Sequence, residues 1–210
     1  ENTLTSFQQC LAHGVTRCEL DLHLSADNQL MVIHDATLKR TTGRRGKVVE
    51  HPAADLVKVD ARKGGPGHVQ PCPIPTLEEL FQKCPFAHWQ LEVKSASRTR
   101  ASSTVLAIRE LAQQYHLLDK VTIPSSSREA LGAAQELVPD VKRGLVAEYA
   151  WLDPLKDAQN YGCDLLALNW TLCTPESLIK AQRQGLHVSV WTVNEPALMR
   201  RLADFGADSL

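Results

Sequence analysis

The feature that most constrains the fold is a regular alternation of strand and helix patterns from residue 76 to the end of the chain. Strands are predicted at 89–94, 121–123, 141–146, 164–168 and 187–191. Helices fill the intervals, and their predicted N-caps are Thr76, Asp153, Thr174 and Asn194, of which Thr76 opens a capping box with Glu79. Because the connections are short, the strands are expected to be parallel, and about seven such units favour a closed (β/α)8 barrel over an open sheet.

The two ends of the chain predict where these units lie in a barrel. Residues 4–12 have the apolar spacing of a helix, which Gly14 ends, and a strand follows at 17–24. Counted back from the last predicted strand, this strand is the second of eight. We therefore expect the first strand to precede Glu1 and the eighth, which begins at 206–210, to be cut by the end of the sequence. The chain is predicted to be a single barrel domain.

Residues 36–75 differ in character from the rest of the chain. They are rich in glycine and proline and show little periodicity, which predicts a small irregular insertion after the second strand. The insertion carries four closely spaced cations, Arg40, Arg44, Arg45 and Lys47. They could contact a phosphate, although such a run is more often a solvated surface.

Composition excludes several classes of partner. The 210 residues carry a formal net charge of −1, so no net positive field attracts nucleic acid. No apolar run reaches the roughly 18 residues of a membrane span. The six cysteines form no CxxC pair, which favours free thiols and a cytoplasmic location, although a targeting segment upstream of Glu1 would change that prediction. The oligomeric state is not set by any pattern in the sequence.

The strand at 17–24 carries the chemistry that stands out most. Glu19 and Asp21 lie two residues apart, so both point to one face of the strand, roughly 7 Å apart. Two carboxylates on one face repel each other unless a cation lies between them. Oxygen ligands of this kind suit Mg²⁺ or Ca²⁺ better than zinc. The alternative is an ordinary exposed polar face.

Three further ionisable residues strengthen the prediction of a site. His34 ends the run 30–35, which follows the acidic strand after a short turn, and a histidine beside a metal is typical of a metal-assisted hydrolase. Glu92 and Lys94 are again two residues apart, at the end of a predicted strand. Because barrel enzymes carry their chemistry at the carboxyl ends of the strands, all of these residues are expected to converge. A purely structural ion network of the acids with Lys94 and Arg17 is the competing interpretation.

Seven ordered motifs resemble those of the glycerophosphodiester phosphodiesterase family, in the general form of its bacterial cytoplasmic members. They are Glu1-Asn2-Thr3, Glu19-Leu20-Asp21, Val32-Ile33-His34-Asp35, Leu38-Lys39-Arg40-Thr41-Thr42-Gly43, Ile74-Pro75-Thr76-Leu77-Glu78-Glu79, Leu91-Glu92-Val93-Lys94 and Trp191-Thr192-Val193-Asn194. The resemblance covers essentially the whole chain.

The resemblance implies a TIM barrel and the hydrolysis of small-molecule glycerophosphodiesters to an alcohol and sn-glycerol 3-phosphate, assisted by Mg²⁺ or Ca²⁺. It also implies a role for each matching residue: Glu19, Asp21 and Glu92 as metal ligands, His34 as a catalytic histidine, Lys94 as a catalytic and phosphate-contacting lysine, Trp191 as part of the glycerol pocket, and Glu1 and Asn2 as supporting residues.

One departure from the family pattern bears on activity. The family has a His-Arg-Gly just before its Glu-Asn-Thr, and that histidine is the second member of the catalytic pair. The sequence begins at Glu1, so we expect this motif to lie upstream of it. Two alternative functions stay open: a phospholipase D-like lyase that forms a cyclic phosphate, and a catalytically silent barrel that binds phosphodiesters.

Overall fold

A computed structural model describes residues 1–65, 67, 70–95, 97–149 and 153–210. Residues 66, 68 and 69 of the predicted insertion lie outside the described residues.

The described strands form one seven-stranded sheet in the order β2-β1-β3-β4-β5-β6-β7. They are β1 (Arg17–Leu24), β2 (Leu30–Val32), β3 (His88–Val93), β4 (Val121–Ser125), β5 (Lys142–Ala147), β6 (Leu165–Asn169) and β7 (His187–Trp191). Every neighbouring pair is parallel except β1 and β2, which are antiparallel. The predicted strands are all present, and their parallel arrangement is that of an α/β barrel sheet.

Helices connect the parallel strands. They are α1 (Leu4–Ala12), α2 (Lys39–Thr42), α3 (Ala53–Leu56), α4 (Leu77–Lys83), α5 (Arg98–Gln114), α6 (Arg128–Leu137), α7 (Pro154–Asn160), α8 (Pro175–Arg183) and α9 (Pro196–Asp204). Single 3₁₀ turns are found at Val48–Glu50, Leu118–Lys120 and Trp170–Leu172. Over the described residues, none of these helices combines the length and the apolar character that crossing a bilayer requires.

The start of an eighth parallel segment is visible at the end of the chain. Ser209 forms a parallel bridge with Ser189 of β7, and the amide of Val190 donates to the carbonyl oxygen of Ser209 at 2.9 Å. This agrees with the strand predicted from residue 206.

Two predicted helix starts differ from the structure, and one predicted capping box is only half formed. The apolar spacing of Val105, Ile108 and Ala112 predicts a helix from residue 103, but helix α5 begins at Arg98, because its first turn is polar and carries no apolar periodicity. Helix α9 is capped by Glu195 and not by Asn194, since Pro196 takes the first helical position. Thr76 caps α4 as predicted. However, Glu79 pairs with Lys83 at 2.7 Å, and only the Thr76 half of the predicted capping box is formed.

The predicted insertion is better packed than its sequence suggests. It contains α2 and α3, and it packs against the end of the first hairpin in a small apolar cluster, whose buried members include Met31, Ile33, Leu38, Val48, Leu56 and Ile74. These residues are irregularly spaced along the chain, so they give no periodic signal. The segment is irregular, as expected, since its described elements are two four-residue helices and a single 3₁₀ turn.

One face of strand β1 is buried in the apolar core. Its Leu20, Leu22 and Leu24 are almost fully buried in the largest apolar cluster, which also contains residues of α4 and α5. Each fully buried leucine stabilises the fold by roughly 1.5–3 kcal/mol. Since side chains alternate along a strand, this packing directs Glu19 and Asp21 to the opposite, inner face.

The hairpin of β1 and β2 positions the histidine. Leu22 pairs with Val32 and Leu24 pairs with Leu30 across the two strands. Just beyond β2, the amide of Ile33 donates to the carbonyl oxygen of Asp21 at 3.0 Å. His34 therefore follows directly from a backbone segment that is bonded to the acidic strand.

Candidate active site

A cavity of about 480 Å³ lies on the inner face of the sheet. The ionisable and aromatic residues singled out in the sequence line it: Glu19, Asp21, His34, Glu92, Lys94 and Trp191. They come from β1, from the residues after β2, from the end of β3 and from the end of β7. The structure thus brings together residues that are up to 172 positions apart, from Glu19 to Trp191.

Three carboxylates converge in this cavity. Glu19, Asp21 and Glu92 each offer an oxygen, and these oxygens lie within 4.8 Å of one another. The parallel register of β1 and β3 causes the convergence, because it pairs Asp21 directly with Glu92. Asp21 and Glu92 are only 5% and 7% exposed. Three oxygen donors at this separation fit a divalent cation of the Mg²⁺ or Ca²⁺ type.

The three carboxylates repel one another when they are ionised. Burial raises the pKa of Glu19 to about 8, and repulsion from Asp21 and Glu92 adds to the rise. Glu19 is exposed toward the cavity, but protein atoms crowd it on its other sides. Burial also raises the pKa of Glu92, while Lys94 acts in the opposite direction. A cation among these groups would stabilise their ionised forms, so the cluster of acids favours the binding of a cation.

Lys94 partly supplies such a charge. Its Nζ lies 3.2 Å from Oδ1 of Asp21 and 2.9 Å from Oε1 of Glu92. Burial acts to lower the pKa of Lys94, but the two carboxylates outweigh it and raise the pKa. These two ion pairs of Lys94 belong to the structural ion network that was the competing interpretation of the sequence. Within the described residues, no ion pair joins Arg17 to these acids, although Arg17 lines the same cavity.

His34 is held at three points. Its Nδ1 lies 2.8 Å from Oδ1 of Asp35, and its Nε2 lies 3.4 Å from Nζ of Lys94. Its carbonyl oxygen lies 3.0 Å from Nε2 of His23. Since a carbonyl oxygen only accepts, His23 donates this bond. The imidazole of His34 remains half exposed and faces the cavity.

Asn2 and Glu1 contact the site from one side. The side-chain amide of Asn2 donates to Oδ2 of Asp21 at 2.8 Å, and the amide of Asp21 donates to Oδ1 of Asn2 at 3.4 Å. The carboxylate of Glu1 accepts a hydrogen bond from Arg40 at 2.5 Å. Asn2 thus orients one of the three converging acids, whereas Glu1 contacts a residue of the predicted insertion.

Trp191 forms the apolar part of the cavity wall. It ends β7, and its indole N–H donates to the carbonyl oxygen of Ala167 on β6 at 3.3 Å. With this bond formed, the side chain of Trp191 is partly buried and lines the cavity on the inner face of the sheet.

Sequence reasoning missed the contacts of Asp35 and Arg40. Both residues belong to quoted motifs, but neither had been given a role beyond a possible phosphate contact for Arg40. In the structure, Arg40 binds Asp35 through two nitrogens. The adjacency of Asp35 to His34 is the one signal in the sequence that could have indicated the contact.

Comparison with known proteins identifies the family. The model of the glycerophosphoryl diester phosphodiesterase family matches residues 1–210. The chain belongs to this family. A glycerophosphodiester phosphodiesterase of Bacillus subtilis is 31% identical over 231 residues, which cover 98% of the chain and 76% of the relative. One from Caldanaerobacter subterraneus is 26% identical over 212 residues, with 100% and 87% covered.

Solved structures of the phosphodiesterase family share the fold. A phosphodiesterase from Oleispira antarctica, in complex with the product sn-glycerol-3-phosphate, superposes with a TM-score of 0.86 at 25% identity, covering 100% of this chain and 86% of that one. A glycerophosphodiester phosphodiesterase from Agrobacterium tumefaciens gives a TM-score of 0.79 at 24% identity, with 100% and 88% covered. The predicted TIM barrel fold is therefore confirmed, and the chain belongs to a family of phosphodiester hydrolases.

Proposed function

We propose that this phosphodiesterase hydrolyses glycerophosphodiesters to an alcohol and sn-glycerol 3-phosphate, with Mg²⁺ or Ca²⁺ held by Glu19, Asp21 and Glu92. The observation that carries the proposal is the convergence of these three carboxylates within 4.8 Å, in the cavity that His34 and Lys94 also line. Family membership indicates the reaction class, and the carboxylate cluster is where the assisting divalent cation would bind.

The donor set fits a hard divalent cation. All three donors are carboxylate oxygens, which Mg²⁺ and Ca²⁺ prefer, whereas zinc favours sites with imidazole or thiolate ligands. When bound, such an ion would act as a Lewis acid toward a phosphate oxygen. The raised pKa values of Glu19 and Glu92 are consistent with a site completed by a cation.

Lys94 would bind the phosphodiester. Its ammonium group is charged and reaches into the cavity between the acids and His34. A fixed positive charge at this point offsets the negative charge that develops on the phosphoryl oxygens in the transition state. A catalytic and phosphate-contacting role for Lys94 follows from that position.

His34 would transfer the proton that the leaving group needs. As an imidazolium it donates the Nε2 proton to the alkoxide oxygen as the bond from that oxygen to phosphorus breaks, which releases the alcohol. The nucleophile is a hydroxyl group or a water that forms the new bond to phosphorus. Its proton goes to a base other than His34 or to solvent water.

Trp191 would form the wall against which the glycerol moiety packs. An apolar ring beside a few convergent polar groups is typical of a site for a small polar ligand with a carbon skeleton. The partner is thus a small molecule, and the cytoplasmic location stays a prediction.

The test is the release of sn-glycerol 3-phosphate from glycerophosphocholine and glycerophosphoethanolamine by the full-length protein, with Mg²⁺, Ca²⁺ or EDTA. We expect turnover with a metal and none with EDTA or in the Glu19→Ala/Asp21→Ala variant. A matched control is Glu136→Ala/Asp140→Ala, which removes two exposed carboxylates outside the cavity and should retain activity. Turnover that survives EDTA and the loss of Glu19 and Asp21 would overturn the metal proposal.

Phosphorus NMR of the products separates the alternatives. A cyclic phosphate in place of glycerol 3-phosphate would assign the protein to the lyases. Binding of glycerophosphocholine without turnover, under every metal condition, would assign it to the catalytically silent barrels.

A further inference from the structure

Arg40 and Asp35 form a forked ion pair next to His34. Nε of Arg40 lies 3.0 Å from Oδ1 and 2.9 Å from Oδ2 of Asp35, and its Nη2 lies 2.8 Å from Oδ1. The same Nη2 donates to Glu1. Charge-assisted bonds to both oxygens of a carboxylate are stronger than neutral ones and fix its orientation.

The fork keeps Asp35 ionised. The hydrogen bonds from Arg40 lower the pKa of Asp35 to about 2, and the bond from His34 contributes in the same direction. An ionised carboxylate can only accept hydrogen bonds. Therefore Nδ1 of His34, which lies 2.8 Å from Oδ1 of Asp35, must carry the hydrogen of this contact.

Lys94 determines the hydrogen-bonding role of the other ring nitrogen of His34, Nε2. An ammonium group can only donate, so Nε2 of His34 accepts in the 3.4 Å contact with Nζ of Lys94. The two contacts agree on a single neutral tautomer, with the hydrogen on Nδ1 and a bare Nε2 facing the cavity.

We propose that Arg40 is a positioning residue for His34, which acts through Asp35 by fixing the orientation of the carboxylate that selects the Nδ1–H tautomer. This inference rests on the proposed function and assigns part of the predicted insertion to the catalytic apparatus. Asp35 is the intermediate positioning residue.

The proton balance of the step shows what the fork contributes. Nε2 first binds a proton from solvent, which converts the neutral tautomer to the imidazolium. That proton then goes from Nε2 to the alkoxide oxygen as its bond to phosphorus breaks, and His34 returns to the neutral Nδ1–H tautomer, with the hydrogen on Nδ1 still between Nδ1 and Asp35. No proton passes to Asp35, because Arg40 stabilises its anion. The ionised carboxylate also stabilises the imidazolium that donates, in the manner known for histidines that are oriented by a carboxylate in other enzymes.

Among the ion pairs of Arg40, the one with Glu1 is the weaker. The Glu1 side chain is 54% exposed, and exposed ion pairs contribute little. The inference therefore depends on the Arg40–Asp35–His34 contacts, and loss of Glu1 alone should change turnover by less than the loss of Arg40.

The experiment compares Arg40→Gln and Asp35→Asn with the wild-type protein in steady-state assays of glycerophosphocholine hydrolysis. We expect kcat to fall about 10-fold to 10²-fold in Arg40→Gln and about 10²-fold or more in Asp35→Asn, with KM within about threefold. Arg109→Gln is the matched control, because Nε of Arg109 likewise contacts both carboxylate oxygens of an aspartate, Asp140, on an exposed surface, at 3.0 and 2.9 Å. It should leave kcat unchanged.

A double-mutant cycle separates positioning from a general structural role. In a His34→Ala background, Arg40→Gln should lower the residual kcat by less than about twofold, because residues that act as a unit are not additive. An equal loss with and without His34 would overturn the proposal. A second substrate can carry 4-nitrophenolate as its leaving group, which is weakly basic and departs without protonation. Arg40→Gln should lower kcat for this substrate much less than for glycerophosphocholine.

Two further measurements keep the test decisive. Nitrogen-15 NMR of His34 should show the hydrogen on Nδ1 in the wild-type protein and a changed tautomer ratio in Asp35→Asn, independently of turnover. If Arg40→Gln does not fold, Arg40→Lys keeps a charge without the fork and should give an intermediate kcat. An unchanged His34 tautomer in a folded Asp35→Asn variant would contradict the inference. No turnover by the wild-type protein would instead remove the proposed function itself.

Discussion

Nζ of Lys94 lies 3.4 Å from Nε2 of His34. Because the same ammonium group also contacts Asp21 and Glu92, one side chain joins the imidazole to two of the three converging acids. A phosphodiester that enters the cavity would therefore contact the ammonium group of Lys94, the imidazole of His34 and the carboxylate cluster, which lie next to one another.

Removing the charge of Lys94 should affect the transition state more than the fold. We expect Lys94→Met to lower kcat/KM by about 10²-fold to 10³-fold, since it removes a fixed charge from the phosphoryl group. Lys58→Met is the control, because Lys58 forms an exposed ion pair with Asp55 on the predicted insertion. Activity of Lys94→Met within threefold of the wild-type value would exclude the phosphate contact.

Removing the amide of Asn2 should weaken the metal site without removing a ligand. Asn2 donates to Oδ2 of Asp21, and residues that orient metal ligands contribute about 10-fold to 100-fold in affinity. Calorimetric titration with Mg²⁺ and Ca²⁺ should therefore show weaker binding to Asn2→Ala. Gln8→Ala, on the exposed side of α1, should bind as the wild-type protein does. Equal affinities of the two variants would show that Asn2 does not support the site.

His88 should make the stability of the fold depend on pH. Burial, together with Arg17, His187 and Lys142, lowers the pKa of His88 to about 4 from 6.5. Between these values the unfolded chain binds a proton at His88 that the folded protein does not bind, so stability rises with pH through this window and is lost as the pH falls to 4.

The measurement for His88 is thermal unfolding of the wild-type protein and His88→Gln at pH 4 and at pH 7. Relative to the variant, the Tm of the wild-type protein should be higher at pH 7 than at pH 4 by a few degrees. Glutamine keeps a donor for the contact with Thr122, which the imidazole makes at 3.1 Å. A Tm difference that is the same at both pH values would contradict the prediction.

Gly144 should tolerate no side chain. A Cβ added there would lie 2.6 Å from Cδ2 of Leu165 and 3.3 Å from Cβ of Pro124, on the neighbouring strands. Gly144→Ala should therefore reduce the free energy of unfolding by about 1–3 kcal/mol, which denaturant unfolding would measure. Gly67→Ala meets nothing within 4 Å and should cause no such loss. An equally stable Gly144→Ala variant would show that β5 and β6 can separate at no cost.

The inner face of the acidic strand could be predicted because its geometry is local. A strand repeats every two residues, so Glu19 and Asp21 had to share a face, and the parallel register then placed Glu92 beside Asp21. The fold followed from the same kind of pattern, since buried strands and amphipathic helices alternate with short connections.

The contacts of Arg40 could not be predicted in this way. Arg40 follows Leu38, which packs into the apolar cluster of the predicted insertion, and that packing turns the guanidinium toward Asp35. Its second partner, Glu1, is 39 residues away in the sequence. No periodic pattern connects such positions, so a cation in this stretch was more readily interpreted as a solvated surface residue. Helix starts failed for a related reason, because the polar first turn of α5 buries little apolar surface.

The hairpin of β1 and β2 has a consequence for how such a site can diversify. The carboxylate of Asp21 and the imidazole of His34 belong to one short antiparallel unit, closed by the bond from Ile33 to Asp21. The predicted insertion begins only after that unit. The hairpin alone therefore sets the separation of the Asp21 carboxylate and the His34 imidazole, whereas the later segment acts on the imidazole through Arg40 and Asp35, so changes in that segment can tune the histidine without moving it away from the acids.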